Sequence, residues 1–210
     1  MYQPTDVVTE EETVRTHVRG AYASQQNKIL DHLDEHCKAW IERSPFLTLA
    51  TVSASGQVDV SPKGDPAGFC KVLDDKSLAI PDRPGNHRYD SFLNILDTGR
   101  IGLCFFVPNR NEVVRVNGSA QIVRDMSLRE MMVVQGRVPD FALLVRVEEA
   151  FYHCGKAIIR SKLWKPEKAA SIEGLPTYAT AIKDHAEDQR SIEEMEKMMK
   201  YNDEKRLYDE

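Results

Sequence analysis

The chain has 210 residues, a formal net charge of -5 at pH 7 and a hydrophobic fraction of 41%. The acidic balance argues against a nucleic-acid-binding surface, which needs a basic face to displace counterions from phosphates. No apolar run approaches the roughly 20 residues that span a bilayer, and the acidic amino-terminal stretch lacks the layout of a signal peptide. We therefore expect a soluble, cytoplasmic protein that binds neither nucleic acid nor membranes.

The first 45 residues carry the pattern of a helical segment. Six apolar residues recur at helical spacing on one stripe, namely Ile29, Leu30, Leu33, Cys37, Trp40 and Ile41. Pro45 ends this pattern. His32 and His36 match the H-x-x-E-H arrangement of inverted zinc peptidases, but they flank the apolar stripe and no third ligand follows them. We expect residues 1–45 to form a helical segment that packs on the next domain and holds no metal.

From Phe46 onward the apolar residues recur with a period of two, which is typical of strands. FLTLATV and QVDVS flank turn residues, as do GFCKVL and KSLAIP, so each pair predicts a β-hairpin. RIGLCFFVP and EVVRVNGSAQIVRD predict two longer strands, of which the first is apolar enough for burial on both faces. FALLVRVEEAFYHC predicts a last strand. Residues 46–165 should therefore form a mainly β domain with flanking helices, either a closed or a split β-barrel.

Helices are predicted between and after these strands. One has its apolar residues Tyr89, Phe92, Leu93 and Leu96 on one face and ends at Gly99. SLREMMVVQG predicts a brief helix, and GKAIIRSKLW predicts a short helix or a turn. Residues 166–210 should form an exposed linker and one charged helix from Ala181 to about Tyr201.

The stretch IPDRPGNHRYDS is the strongest candidate for a binding site. A helix that begins near Asn86 would leave its first N–H groups free for an anion. Arg83 and Arg88 could add bidentate bonds to a phosphate. The alternative is a solvated turn in which these arginines pair with Asp82 and Asp90.

Two further basic groups follow other strands. Lys63 lies in DVSPKGDPAGF, where it could share a barrel rim with residues 83–88, called the arginine loop. Lys156, Arg160 and Lys162 recur at helical spacing in HCGKAIIRSKLW. Three basic groups at strand ends in an acidic protein favour one convergent anionic ligand. Lys156 and Lys162 could equally solvate a surface helix.

The stretches VSPKGDP, SLAIPDRPGNHRYDSFLNIL and GLCFFVPNRNEVVRVNGSAQI resemble the pyridoxamine 5'-phosphate oxidase-like flavoproteins, in particular a subgroup of FMN-dependent enzymes of unknown substrate. The resemblance covers about residues 45–164. It implies an FMN-binding split β-barrel that is usually a homodimer, with FMN at the interface between the two subunits.

The resemblance also assigns cofactor contacts residue by residue. Residues 86–88 match the triplet that grips the FMN phosphate in the family, and Asn117 is a weaker candidate for the flavin ring. The full set of implied contacts is Ser61, Pro62, Lys63, Asp82, Arg83, Asn86, His87, Arg88, Phe106, Val107, Val113 and Arg115. The oxidase's downstream basic run, which helps to hold pyridoxal phosphate, is missing here. Lys156 and Arg160 are candidates to replace it, from the same subunit or from the partner.

The resemblance implies an FMN-dependent oxidoreductase that acts on an unidentified small molecule through flavin N5, and not on pyridoxamine phosphate. A flavin-binding or flavin-storage protein without turnover is the alternative. A third is a barrel that has lost FMN and binds another phosphorylated metabolite or haem. Independently of the resemblance, a phosphate monoester joined to a broad apolar ring suits a cationic helix start beside an apolar rim.

Overall fold

The computed structural model describes residues 1–18, 20 and 22–209. Seven antiparallel strands form one sheet in the order β2-β1-β5-β6-β7-β4-β3. They are β1 (Phe46–Val52), β2 (Val58–Gly64), β3 (Lys71–Asp74), β4 (Ser77–Pro81), β5 (Arg100–Phe106), β6 (Val113–Val123) and β7 (Ala142–His153). Both predicted hairpins and the predicted mainly β fold are confirmed.

The sheet curls around the larger of two hydrophobic clusters. Leu49 of β1 and Ile80 of β4 belong to the same buried cluster, although three strands lie between β1 and β4. The edge strands β2 and β3 are not paired with each other in the described part of the chain, so the barrel is split rather than closed. Burial alternates along β5, where Leu103 and Phe105 are buried and Cys104 is half-buried. The prediction that β5 is buried on both faces was therefore wrong for its outer face.

The longest ladder pairs β6 with β7 and contains one bulge, between Asn117 and Gly118. A side chain at Gly118 would overlap the carbonyl oxygen of Arg146. Only glycine therefore lets the two backbones approach this closely. The bulge keeps the long strands paired while the sheet bends.

The described residues contain eight α-helices, of which α3 and α4 contact the sheet most closely. They are α1 (Glu11–His17), α2 (Ala23–Gln26), α3 (Glu35–Ile41), α4 (Asp90–Thr98), α5 (Met126–Glu130), α6 (Lys156–Ser161), α7 (Tyr178–Ala186) and α8 (Ile192–Lys205). None of the helices in the described ranges is long and apolar enough to cross a membrane.

The first predicted helix is shorter than its apolar stripe. Asp34 caps α3 by accepting a hydrogen bond of 2.8 Å from the backbone N–H of Cys37. Leu30 is outside the helix, because its backbone exchanges two hydrogen bonds with Ala150 of β7. Leu33 and Trp40 are nevertheless buried in the core. The apolar stripe identified core residues, but tertiary pairing decided which of them are helical.

Two other helix predictions need correction. Helix α4 ends at Gly99 as predicted, with φ of 66°, but its buried face contains Phe92 and Ile95, whereas Leu93 and Leu96 are exposed. The predicted single tail helix is two helices, α7 and α8, because Glu187 adopts a left-handed conformation that ends α7. Ser191 and Glu194 then form a capping box that begins α8.

Candidate functional site

A cleft of about 340 Å³ lies between β2, the end of β4 and the start of α4. Two thirds of the cofactor contacts implied by the resemblance line it, namely Ser61, Pro62, Lys63, Asp82, Arg83, Asn86, His87 and Arg88. The lining also includes Asp59, Tyr89, Ser91 and Phe92, which the sequence analysis missed as site residues. The chain thus brings the arginine loop and the Lys63 strand together at one rim, as predicted.

Residues 59–63 of β2 line this cleft, and every second side chain among them is on the inner face of the sheet. Asp59, Ser61 and Lys63 lie opposite buried residues of β1, so their side chains are on the inner face of the sheet. The side chain of Lys63 makes no hydrogen bond or ion pair within the described residues, although its backbone is part of the β1–β2 ladder. The carboxylate of Asp59 accepts a hydrogen bond of 2.7 Å from Ser91 Oγ, which joins β2 to α4. The period-two pattern from Lys63 back to Asp59 was the signal that could have found Asp59.

The loop before α4 has an uncommon backbone. His87 and Tyr89 have φ values of 57° and 56°, in the left-handed region that few non-glycine residues adopt. The helix therefore begins at Asp90 and not near Asn86 as predicted. Asn86 Oδ1 accepts a hydrogen bond of 3.1 Å from the backbone N–H of Arg88, a local bond that competes with helix formation. Left-handed residues of this kind cost roughly 1–3 kcal/mol each and cluster at functional sites.

The start of α4 leaves backbone donors for a ligand. Its N-cap residue, Tyr89, provides no side-chain hydrogen bond to the first turn. The first three residues of the helix line the cleft, and the first N–H with an intrahelical acceptor is that of Leu93. Uncapped N–H groups at a helix N-terminus bind anions well.

The two arginines of the loop have different roles. Arg88 is 71% exposed, and its Nε donates a hydrogen bond of 2.6 Å to Asp90, which raises the pKa of Arg88 above its usual value. Arg83 is only 14% exposed, and its Nε donates to Asp65 at 2.6 Å while Nη2 donates to the carbonyl of Met132 at 2.7 Å. Arg88 can exchange a solvated carboxylate for a ligand at low cost. Arg83 could do so only by leaving a buried carboxylate unpaired.

The cleft is not strongly positive. Three cations line it, and so do three carboxylates, Asp59, Asp82 and Asp90. An anion would therefore be held by directed donors, which are Lys63, Arg88 and the start of α4, rather than by a net positive potential. The sequence predicted the cations of this loop and Asp82 as site residues, but not Asp59 or Asp90.

Three other candidate residues lie on the outer face of the sheet. Phe106 stacks against Phe46 with ring centroids 5.8 Å apart. The guanidinium of Arg115 lies 5.0 Å from the ring centre of Phe151. Val113 is on the same face by strand register. The structure does not bring these residues to the cleft of the same chain.

The remaining candidates are also outside the cleft. Val107 packs against the hydrophobic core at the end of β5. Lys156 and Arg160 are exposed on α6, which follows the last residue of β7. Pro81 of β4 pairs with Ala142, the first residue of β7. Helix α6 and the residues after β4 therefore lie at opposite ends of this strand, roughly 36 Å apart along it.

Comparison with known proteins identifies the family. The family model described as "Pyridoxamine 5'-phosphate oxidase" matches residues 33–154, more than half of the chain. No curated protein matches the chain. The match includes α3, all seven strands and the cleft between β2, β4 and α4.

Three solved structures that resemble the chain are distant from it. HupZ of Group A Streptococcus is 25% identical, with 57% of this chain and 92% of that chain covered and a TM-score of 0.46. An FMN-binding protein of Syntrophomonas wolfei is 11% identical (67% and 95% covered, TM-score 0.44), and the heme storage protein HutZ of Vibrio cholerae is 16% identical (58% and 94% covered, TM-score 0.41). At these identities and TM-scores, the likenesses carry no information about function. Since the family model spans the whole sheet and the candidate cleft, the chain belongs to the pyridoxamine 5'-phosphate oxidase family.

Proposed function

We propose that this protein binds FMN in the cleft between β2, β4 and α4 and is an FMN-dependent oxidoreductase acting on a small molecule. The observation that carries the proposal is the convergence of Lys63, Arg88 and the uncapped start of α4 at one rim, in a chain of this family. Pyridoxamine phosphate is not proposed as the substrate, because the sequence lacks the oxidase's downstream basic run.

The residues at this rim fit the phosphate end of FMN. A phosphate monoester carries about -1.5 to -2 charges near neutral pH and has three strong acceptor oxygens. Lys63 has no competing partner in the described structure, and Arg88 need only exchange Asp90. The first N–H groups of α4 supply further donors. These donors together can neutralise the phosphate although the whole lining is balanced in charge.

A second copy of the chain would complete the site at the flavin ring. The cleft has a volume of about 340 Å³, at the small end of the ~300–1,000 Å³ typical of ligand sites. The outer face of the sheet exposes Phe46, Val58 and Val60 beside the unpaired edge of β2. Exposed apolar surface next to an edge strand favours association. We propose a homodimer in which one subunit's outer face, with Phe106 and Arg115, covers the partner's cleft.

The same arrangement would place α6 of one subunit near the cofactor of the other. Lys156 and Arg160 do not reach the cleft of their own chain, but they are at the same end of β6 and β7 as Val113. In the proposed dimer they would be contributed by the partner. Bound FMN supplies two-electron chemistry at N5. The protein's own residues bind the phosphate, orient the ring and exclude water from it.

The test is the absorption spectrum of freshly purified protein, followed by anaerobic addition of NADH or NADPH. We expect the two visible bands of an oxidised flavin, with FMN as the species released on denaturation, and bleaching by the nicotinamide. Retained FMN without bleaching by any donor would favour the flavin-binding protein without turnover. A colourless protein that takes up no added FMN, or one with a haem spectrum, would overturn the proposal.

A further inference from the structure

The carboxyl-terminal tail, residues 206–209, returns to the rim of the cleft. Tyr208 Oη donates a hydrogen bond of 2.6 Å to Asp65 Oδ1, across 143 residues of sequence. Asp209 forms an ion pair of 2.7 Å with Arg137. The guanidinium of Arg83 lies 5.7 Å from the ring centre of Tyr208. Three separate contacts therefore hold the tail beside a residue that lines the candidate cofactor cleft.

Asp65 is shared between the tail and the cleft. Its side chain is 1% exposed. Oδ2 accepts the hydrogen bond from Arg83 Nε and Oδ1 accepts the one from Tyr208 Oη, so both carboxylate oxygens are used. A buried carboxylate needs such partners, since an oxygen without a donor carries a large desolvation cost. The hydrogen bond from Tyr208 therefore helps to fix where Asp65, and through it Arg83, can lie.

The ion pair between Arg83 and Asp65 crosses the opening of the split barrel. Asp65 directly follows β2, an edge strand, and Arg83 follows the end of β4. No ladder joins β2 to β4 in the described sheet, where four other strands separate them. The two walls of the cleft are therefore joined by side chains. Lys63 lies two residues before Asp65, and Asn86 three residues after Arg83, so this link sets the distance between the two groups of phosphate donors.

Arg83 also separates two cavities. A second cleft of about 530 Å³ has Arg83, Asp82 and Tyr89 in common with the first. Its far wall is formed by the tail, including Arg206 and Tyr208. If the tail moved away, Arg83 would lose one of the surfaces that hold it between the two cavities.

We propose that Tyr208 is a positioning residue for the cofactor cleft, which holds Asp65 so that Arg83 stays fixed across the opening between β2 and β4. This inference rests on the proposed binding of FMN in that cleft. The hydrogen bond to Asp65, followed by burial, raises the pKa of Tyr208 above its usual value, so the hydroxyl remains protonated and donates at neutral pH. Tyr208 acts through Asp65 and Arg83 and does not line the candidate phosphate site itself.

The test compares Tyr208→Phe with Tyr201→Phe in the full chain. Tyr201 is an exposed residue of α8 and serves as the matched control. We expect Tyr208→Phe to raise the Kd for FMN about tenfold, equivalent to about 1.4 kcal/mol, and to change the visible circular dichroism of the bound flavin. Tyr201→Phe should leave both unchanged.

A merely structural tail contact would lower the thermal midpoint of the apoprotein without changing the Kd or the flavin dichroism. That result would overturn the inference. A double-mutant cycle is a second test of the inference. If Tyr208 and Arg83 act through one link, Tyr208→Phe and Arg83→Lys together should weaken FMN binding by less than the sum of their separate effects. Full additivity would contradict the inference. Failure of the wild-type protein to bind FMN would overturn the proposed function itself, and this inference with it.

Discussion

The cleft and the outer face of the sheet are built in opposite ways. In the cleft, polar side chains from β2, β4 and α4 meet within one chain, and most are held by partners such as the Ser91 hydroxyl on Asp59. On the outer face, Phe46, Val58 and Val60 are exposed although they are apolar. One chain therefore brings together the donors of the proposed anion site but leaves the apolar residues implied for the ring on a separate surface.

This difference shows that the candidate residues do not form one uniform set. Arg88 is solvated and exchangeable, Arg83 is a buried structural link, and Phe106 and Arg115 can contribute only through a second copy. Variants that change one region of the molecule and leave the others intact can distinguish these three roles.

The largest effect should come from Arg83→Ala. The substitution leaves the carboxylate of Asp65, 1% exposed, without its cationic partner. Breaking one side of a buried ion pair costs about 3–5 kcal/mol. We expect the free energy of unfolding of the apoprotein, measured in urea, to fall by roughly that amount. Arg88→Ala is the matched control, because its solvated ion pair should contribute ~1 kcal/mol or less. Equal stability of the two variants would contradict the structural role of Arg83.

Val58→Lys should break the proposed dimer. Val58 is exposed on the outer face of edge strand β2 and does not line the candidate cleft, and a lysine buried in a subunit interface would be unpaired. We expect the dimer dissociation constant to rise at least about a hundredfold, or ~2.7 kcal/mol, in sedimentation equilibrium, with FMN affinity falling in parallel. Leu96→Lys on α4, exposed but away from this face, is the control. A wild-type protein that is monomeric with FMN bound would exclude the interface.

Arg88→Ala should weaken FMN binding while leaving the fold intact. A hydrogen bond to a charged group contributes about 1.5–3 kcal/mol, so the Kd for FMN should rise roughly ten- to a hundredfold. The apoprotein should retain the wild-type far-ultraviolet dichroism. Arg43→Ala removes an exposed arginine that follows α3 and donates a hydrogen bond to the carbonyl of Ala39 in that helix, and it should have no effect on the Kd. An unchanged Kd in Arg88→Ala would remove residues 86–88 from the phosphate site.

The smallest effect concerns the pH dependence at His153 on the outer face. Partial burial, followed by the positive charges of Arg115 and Lys28, lowers the pKa of His153 below 6.5. The folded state thus binds fewer protons than the unfolded state, so this contribution to stability is complete above pH 6.5 and is lost as the pH falls through the folded pKa.

As the pH drops below 6.5, we expect this group to lower the thermal midpoint by about 2 °C or less. His153→Gln should flatten that part of the plot of thermal midpoint against pH. His185→Gln, on α7, should keep the wild-type profile. A His153→Gln profile identical to that of the wild type would contradict the assignment.

Local patterns predicted most of the fold. The two hairpins follow from alternating apolar residues around short turns. Gly99 ends α4 because glycine adopts the left-handed conformation with little strain. The start of α4 was not predictable in this way. His87 and Tyr89 adopt left-handed backbone angles, which local propensity disfavours for residues other than glycine.

The candidate site was predictable in part for the same reason. The basic composition of the loop and the position of Lys63 after a strand indicated an anion-binding rim. Asp59 could have been added from its period-two spacing with Lys63. The pairing of Arg83 with Asp65, and of Asp65 with Tyr208, could not have been, because these residues come from three distant segments that meet only when the sheet curls.

The sequence by itself determined where the strands lie along the chain, most residues of the core and the chemistry of the basic loop, since each depends on neighbours within a few positions. Only the tertiary structure decided which cations remain available to a ligand. That outcome depends on which carboxylates are folded against them. Asp65 is buried against Arg83 and keeps it in a structural role, whereas Asp90 is solvated beside Arg88 and leaves it free to exchange.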